Sequence, residues 1–282
     1  MRKSPFTRAA FGILLCWLLV AASDARAEGA VESGVAGEPI LNGDYWSGYW
    51  KNPLRLLTSP TQWSEREWIR NGVVLVAAGG LFLLDKPVKR WTQDNRSGVT
   101  KNLANWTEPF GKSLYLAAGM GGTYLAGLAA SDRKLRETAL LGLESWFIAA
   151  LFTDGLKRLT GRERPENTSD NMDWNFFQVS KANTSFPSGH ATNAFAVATV
   201  FASAYEDEWA VQGGAYGLAS LVAWSRVHDN RHWISDVFLG GAIGYGVGKL
   251  IHASDPFRRR HGVRVAPMAG RDGAGVNVAV KF

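Results

Sequence analysis

The sequence predicts an all-α protein, a bundle of six helices followed by a short C-terminal β-hairpin. Six apolar stretches, rich in Ala and Leu, are each too long for a typical strand and are separated by charged or Gly/Pro-containing connections. They lie near residues 68–84, 113–130, 137–156, 189–204, 210–225 and 234–251. Residues 262–282 then change to alternating apolar and polar positions around a Gly-rich centre, which indicates a hairpin.

The N-terminus predicts export. Residues 1–27 begin with basic side chains, continue with an apolar stretch over 9–22 and end on Ala25-Arg26-Ala27, a pattern typical of a signal peptide and its cleavage site. We therefore exclude this segment from the fold.

The composition excludes two classes of function. The only cysteine, Cys16, lies within the predicted signal peptide, so the remaining chain has no disulfide and no cysteine metal ligand. Residues 1–27 hold four basic residues and one acidic residue, and the rest of the chain has 27 basic residues against 24 acidic ones. A net charge of +3 does not suggest a nucleic-acid partner.

The rest of the chain divides into three parts. Residues 28–64 are rich in Gly, Ser, Pro and Trp without periodicity, and we expect an extended arm. Residues 65–255 form the predicted helical domain. The tail over 262–282 is interpreted as a hairpin that covers part of the helical body, because one hairpin cannot close a barrel.

Membrane embedding is left open by the apolar stretches. Each is at or below the roughly 20 residues that a helix needs to cross a bilayer, and the mean hydropathy is only −0.10. We predict an exported, membrane-associated or partly embedded body whose site faces the periplasm. Such an orientation requires an even number of crossings before Lys157, or none.

Polar clusters at the ends of the predicted helices indicate an anion site. They occupy residues 157–165, 186–190 and 225–236. Lys157, Arg164 and Arg226 supply permanent positive charge, and the planar guanidinium suits phosphate oxygens. Rigid helix ends can hold these groups while they face solvent.

The second and third clusters add candidates for catalysis. Ser188 lies near a helix start, where free N–H groups and the helix dipole favour a phosphate, and Gly189 permits close approach of the backbone. His232 and Asp236 are four residues apart, so on a helix the carboxylate can reach one imidazole nitrogen and leave the other as a nucleophile. His190 is placed to donate a proton to a leaving oxygen.

These residues resemble the signature of the type 2 phosphatidic acid phosphatase (PAP2) superfamily. The signature comprises Lys, six residues and Arg-Pro, then Pro-Ser-Gly-His, then Ser-Arg, five residues, His, three residues and Asp. All of its fixed positions occur in order over 157–236, and the helix pattern extends the resemblance to about 68–251.

The resemblance implies a helical core in which the clusters meet, and a metal-independent phosphatase that works through a phosphohistidine. It implies that His232 attacks phosphorus, Asp236 orients His232, and His190 protonates the leaving group and then activates water. The groups expected to hold the phosphoryl oxygens are Lys157, Arg164, Ser188, Gly189 and Arg226. No metal and no other cofactor is implied.

Four functions remain as alternatives at this stage. The first is a phosphatase for a lipid phosphate or diphosphate, and the second is a soluble periplasmic acid phosphatase that accepts small phosphomonoesters. The third is a vanadate-dependent haloperoxidase, against which the short connection over 165–187 argues. The fourth is a protein that binds a phosphorylated lipid without catalysis, which the intact His190, His232 and Asp236 disfavour. The oligomeric state and the natural substrate are left open.

Overall fold

The computed structural model describes residues 40–178, 180 and 182–257, and the backbone of 263–270 and 273–280. The predicted signal peptide, 1–27, lies outside the described residues. Over 40–257 the described fold is entirely helical, which confirms the predicted class.

Eight α-helices make up this part of the chain. Their bounds are α1 Gly43–Thr58, α2 Glu65–Asp94, α3 Gly98–Thr107, α4 Ser113–Ala129, α5 Arg133–Thr160, α6 Gly189–Ala204, α7 Trp209–His228 and α8 Ile234–Ala253. Short 3-10 helices, Ser59–Gln62 and Glu108–Gly111, precede α2 and α4. The predicted count of six is therefore too low, because α1 and α3 were not predicted.

Helix α1 replaces part of the arm expected to be extended over 28–64. Asn42 caps its start by accepting a hydrogen bond from the Tyr45 N–H at 3.0 Å. Tyr45, Asn52 and Leu56 are buried and share one helical face. The many Trp and Gly residues interrupt this amphipathic pattern in the sequence, so the helix was not predicted.

The closest helix packing joins α6 to α8. Gly240, Gly244 and Gly248 form a stripe on α8, and a Cβ atom added at Gly244 would lie 2.2 Å from the Thr192 carbonyl oxygen of α6. Only glycine permits this approach of two backbones. The Ser188 N–H donates to the Asp236 carbonyl oxygen at 3.0 Å, so the N-terminal ends of α6 and α8 are held together.

Helix α5 ends where the chain turns back into the protein. Gly161 adopts a left-handed conformation with φ of 56°, and its N–H donates to the Lys157 carbonyl oxygen at 3.0 Å. An added Cβ would lie 1.9 Å from the Asn175 carbonyl oxygen. The turn places Arg162 inside the molecule, where its side chain has no exposed surface.

Among the described residues, three helices, α2, α5 and α8, are long and apolar enough to cross a membrane. Helices α2 and α5 have 30 and 28 residues, well beyond their apolar stretches, because charged residues near their ends remain helical. Large apolar side chains are also exposed on outer faces, such as Val76 and Leu83 of α2 and Leu114 of α4. Such surface is typical of a membrane protein.

Helices α2, α4 and α5 run between the same two ends of the bundle. Asp85, near the C-terminal end of α2, contacts Ser235 of α8. Gly111, just before α4, lies against His190, and Lys157 is close to the C-terminal end of α5. If all three of these helices crossed a bilayer, an odd number of crossings would precede Lys157, whereas the periplasmic site that we expected requires an even number or none.

The tail contains strands β1, Val263–Gly270, and β2, Gly273–Val280, which pair antiparallel with Val263 opposite Val280. The hypothesis that this hairpin covers part of the helical body stays a prediction.

Candidate active site

Four helix ends meet where the three polar clusters of the sequence come together. The C-terminal ends of α5 and α7 bring Lys157 and Arg226, and the N-terminal ends of α6 and α8 bring Ser188 and Asp236. Helix starts contribute free N–H groups and the positive end of the dipole. The clusters, distant in sequence, thus surround one site.

Thr184 links two of the predicted phosphate-binding cations. The Lys157 Nζ donates to the Thr184 carbonyl oxygen at 2.6 Å, and the Arg164 Nη2 donates to the Thr184 Oγ1 at 3.1 Å. Gly189 lies beside them, because an added Cβ there would be 3.6 Å from the Lys157 Cε. The first and second clusters therefore form one cationic surface.

Ser188 occupies the N-cap position of α6, but its hydroxyl does not cap the helix. The side chain is fully buried, and its Oγ has no hydrogen-bond partner among the described residues. A buried hydroxyl normally has a partner. This orientation leaves the hydroxyl available to an oxygen of a bound anion.

His232 lies in the loop before α8 and is 5% exposed. Its Nδ1 is 2.6 Å from the Ser185 carbonyl oxygen, whereas Nδ1 and the Asp236 Oδ2 are 4.0 Å apart. The structure thus differs from the predicted direct hydrogen bond to Asp236. The consequence for the ring is the same, because a proton on Nδ1 that is donated to the carbonyl leaves a lone pair on Nε2.

Asp236 acts on His232 through Ser185. The Asp236 Oδ2 accepts hydrogen bonds from the Ser185 Oγ at 2.6 Å and from the Trp233 N–H at 2.9 Å. The Ser185 carbonyl oxygen in turn accepts from the imidazole. Hydrogen bonds through Ser185 thus connect Asp236 to the imidazole.

The protonation state of His232 suits nucleophilic attack. Burial, followed by the positive charges of Lys157, Arg164 and Arg226, holds the pKa of His232 well below its usual value. The imidazole is therefore neutral around pH 7.

Arg162 anchors Asp236 in a buried polar network that the sequence analysis missed. It contacts one carboxylate oxygen of Asp236, and its Nη2 donates to the Asp85 Oδ2 at 2.6 Å. Ser235 donates its N–H and its hydroxyl to Asp85 at 3.0 and 2.8 Å. All four side chains are at most 1% exposed. The network ties α2 and α8 to the turn after α5.

Glu108, which the sequence analysis also missed, lies beside His190 and Arg226. Its Oε1 lies 3.1 Å from the Arg226 Nη1 and 3.9 Å from the His190 Nε2. Its Oε2 lies 3.3 Å from the Lys112 Nζ. The 3-10 helix therefore adds a carboxylate beside the predicted proton donor.

His190 is in the first turn of α6, and its environment opposes protonation. Burial, followed by the positive charge of Arg226, lowers the pKa of His190 to about 3, and the Glu108 carboxylate acts in the opposite direction. A phosphate dianion bound between these groups would favour the protonated imidazole. The predicted role of His190 as an acid therefore requires the negative charge of a bound substrate.

Several predicted site residues have buried polar atoms with no hydrogen-bond partner among the described residues. These atoms are the Ser188 Oγ, the His190 Nε2, the Arg164 Nε and the Arg226 Nε. All four belong to residues predicted to contact the phosphate or its leaving group. Since leaving such groups unpaired is costly, their concentration indicates a place built for a polar ligand.

A cavity lined mainly by polar and charged residues adjoins the site beside Arg164. It has a volume of about 700 Å³ and is lined by Arg164, Asn167, Thr184 and Arg231, among others. Arg231 is held by Glu166, with the two side chains 2.7 Å apart. Within residues 40–257, apart from 179 and 181, no group of three His, Cys, Asp or Glu side chains is arranged to hold a metal ion.

The family model of the PAP2 superfamily matches residues 138–260. The chain is 30% identical over 199 residues to the decaprenylphosphoryl-5-phosphoribose phosphatase of Mycobacterium tuberculosis, a match that covers 68% of this chain and 94% of that protein. The chain belongs to the PAP2 superfamily.

Two further comparisons cover shorter lengths of this chain. A lipid A 1-phosphatase of Porphyromonas gingivalis is 41% identical over 92 residues, which are 32% of this chain but only 18% of that protein. The crystal structure of Aquifex aeolicus LpxE superposes with a TM-score of 0.46 and 20% identity, covering 58% of this chain and 92% of that one.

Proposed function

We propose that this protein is a metal-independent phosphatase of lipid phosphates or diphosphates that works through a phosphohistidine on His232. The observation that carries the proposal is the concentration of unpartnered buried donors beside a neutral, oriented imidazole. Membership in a superfamily whose relatives include lipid phosphatases supports the reaction class.

The proposed first step transfers the phosphoryl group to the enzyme. Nε2 of His232 uses its lone pair to bond to phosphorus, and the bond from phosphorus to the leaving oxygen breaks. His190 gives that oxygen a proton, so the product leaves as a neutral alcohol, or as the remaining phosphate ester of a diphosphate.

The proposed second step returns the enzyme to its starting state. Neutral His190 takes a proton from water, the water oxygen bonds to phosphorus, and the bond between phosphorus and Nε2 breaks. Lys157, Arg164 and Arg226 stabilise the negative charge of the phosphoryl oxygens in both steps. These three positive charges are in place before the substrate binds, so the protein reorganises little when the transition state forms.

The lipid part of the proposal rests on the outer surface of the bundle. Exposed apolar side chains on α2 and α4, together with three candidate membrane helices, suit a substrate that stays in a bilayer. The cavity beside Arg164 is lined by Arg164 and Arg231, two cations that suit an anionic headgroup.

The runner-up is a soluble periplasmic acid phosphatase, which the predicted signal peptide favours. Cell fractionation separates the two. The lipid-phosphatase proposal expects the protein in the membrane fraction until detergent is added, and release by osmotic shock alone would support the soluble enzyme.

The test of function is phosphate release from a panel of lipid and soluble phosphomonoesters in EDTA. We expect the wild type to prefer a lipid phosphate and to keep its activity in the chelator, and we expect His232→Ala to lose it. Activity that disappears in EDTA would overturn the metal-independent mechanism. Equal activity in the variant would overturn the role of His232.

The side of the membrane on which the active site lies is a separate question. It depends on how many of the helices α2, α4 and α5 cross the bilayer, because they run between the same two ends of the bundle. With three crossings, the site lies on the opposite side from Thr61. In a Cys16→Ser background, cysteines at Thr61 and at Asp94 should react with a membrane-impermeant reagent from opposite sides. The proposed periplasmic site requires the cysteine at position 94 to react from outside. If residue 61 is exported, three crossings place residue 94 and the site inside. A cleaved signal and a periplasmic site therefore exclude one another if α2 spans the membrane.

A further inference from the structure

We propose that Glu108 is a positioning residue that keeps His190 able to act as the proton donor. This inference rests on the proposed phosphatase function. Glu108 lies in the 3-10 helix Glu108–Gly111, outside residues 138–260 that match the family model and outside the three polar clusters. No motif in the sequence points to it.

The 3-10 helix is packed tightly on His190. A Cβ atom added at Gly111 would lie 2.8 Å from the His190 Cβ and 2.6 Å from the Val222 Cγ1. Glycine at this position therefore lets the segment approach α6 and α7. The Glu108 carboxylate is consequently held beside the imidazole by backbone packing rather than by a flexible loop.

Among the described residues, Glu108 is the one acidic group of the charged neighbours that act on His190. The cationic neighbours are Arg226 from α7, Lys157 from α5 and Lys112 next to α4, and all three oppose protonation of the imidazole. The His232 imidazole, the other titratable ring of the site, is neutral. Only Glu108 favours the protonated ring.

The carboxylate also holds Arg226 in the site. Its Oε1 is 3.1 Å from the Arg226 Nη1 and its Oε2 is 3.3 Å from the Lys112 Nζ. Although burial acts to raise it, the Arg226 and Lys112 charges hold the pKa of Glu108 below its usual value, so Glu108 remains ionised. A charged Glu108 faces His190 throughout the working pH range.

The proposal predicts an effect that depends on the leaving group. An alkyl leaving oxygen needs a proton from His190, whereas p-nitrophenolate leaves without one. Glu108→Gln removes the charge and keeps the shape, so it should lower the pH at which His190 loses its proton in the substrate complex. The alkaline limb of kcat should then move down by about one pH unit, the shift given by a unit charge about 4 Å away in a solvated site.

The experiment compares dioctanoyl phosphatidate with p-nitrophenyl phosphate in wild type, Glu108→Gln and Glu166→Gln. Glu166 also pairs with a site arginine, 3.7 Å from Arg164, but does not face His190. We expect the limb to move only for Glu108→Gln and only with the lipid phosphate, and Glu108→Asp to restore it partly. In a His190→Asn background, Glu108→Gln should have no further effect on the limb.

Two results would overturn the inference: an unchanged limb in Glu108→Gln, or an equal shift for both substrates. Thermal midpoints measured in detergent show whether the variants are folded, and the comparison of substrates within one protein preparation does not depend on its yield. An inactive wild type would instead reject the proposed function, whereas an active wild type with an unmoved limb would reject only the role of Glu108.

Discussion

The two walls of the site differ in how completely their polar groups are paired. The nucleophile wall consists of Asp85, Arg162, Ser185, His232 and Asp236. The phosphate-facing wall consists of Arg164, Ser188, His190 and Arg226. Every residue of the first wall is at most 5% exposed and hydrogen-bonded within the protein, whereas every residue of the second has a buried polar atom without a partner in the described structure.

This difference separates stability from function. A paired, buried network fixes the position of the nucleophile before a substrate arrives, but any missing partner is costly because a charge is left unpaired. Unpaired donors on the other wall cost stability in the free protein and gain partners when phosphate oxygens bind. Substitutions on the first wall should therefore lower stability, and those on the second should lower activity.

The largest effect on stability is expected from Arg162→Met. It leaves the Asp85 and Asp236 carboxylates buried without their cation, which costs about 3–5 kcal/mol. Unfolding measured in detergent should show this loss. The control is Arg158→Met, an exposed arginine in the last turn of α5, which should change stability by less than about 0.5 kcal/mol. Similar losses in both variants would contradict a special role for the buried network.

On the phosphate-facing wall, His190→Asn should reduce kcat for an alkyl phosphate by about 10²–10⁴-fold, the usual contribution of general acid catalysis. The loss with p-nitrophenyl phosphate should be smaller, and the thermal midpoint should change little because the His190 Nε2 has no hydrogen-bond partner within the described residues. A large loss of stability would place His190 with the structural wall instead.

The sharpest comparison uses two serines. Ser185→Ala removes a hydroxyl that donates to the buried Asp236 carboxylate, which should cost about 1.5–3 kcal/mol of unfolding free energy. Ser188→Ala removes a hydroxyl without a partner in the described part of the chain, so its stability should be unchanged while KM rises. The reverse pattern would contradict the division between the walls.

Much of this arrangement follows from the sequence. The apolar stretches predict six of the eight helices described over 40–257. The polar residues at their ends predict which groups meet in the site. Helix α1 was missed because its buried face includes Tyr45 and Asn52, which do not form an apolar pattern. Helix α3 has only 10 residues, too few for periodicity to be decisive.

The hydrogen bond predicted between His232 and Asp236, which the structure does not contain, illustrates where sequence spacing fails as a guide. Four residues place two side chains on one face only if both are helical, but α8 begins at Ile234, after His232. Asp236 is in the first turn and accepts the Trp233 N–H. The imidazole therefore finds the Ser185 carbonyl oxygen, a partner 47 residues away that no local pattern indicates.

Arg162 and Glu108 could not be predicted because their roles depend on tertiary contacts. In the sequence, Arg162 resembles its solvated neighbour Arg158, and only the left-handed turn at Gly161 places it inside. Glu108 resembles a surface carboxylate of a connecting segment. A substitution survey of charged residues near helix ends would have detected both.

The central claim is that His232 becomes phosphorylated during turnover. Rapid acid-free quenching of a reaction with ³²P-labelled substrate should trap a protein-bound phosphate that is labile in acid, stable in base and mapped to His232. The same experiment on His232→Ala should give no label. Full phosphate release without any trapped label, or label on a different residue, would contradict the account.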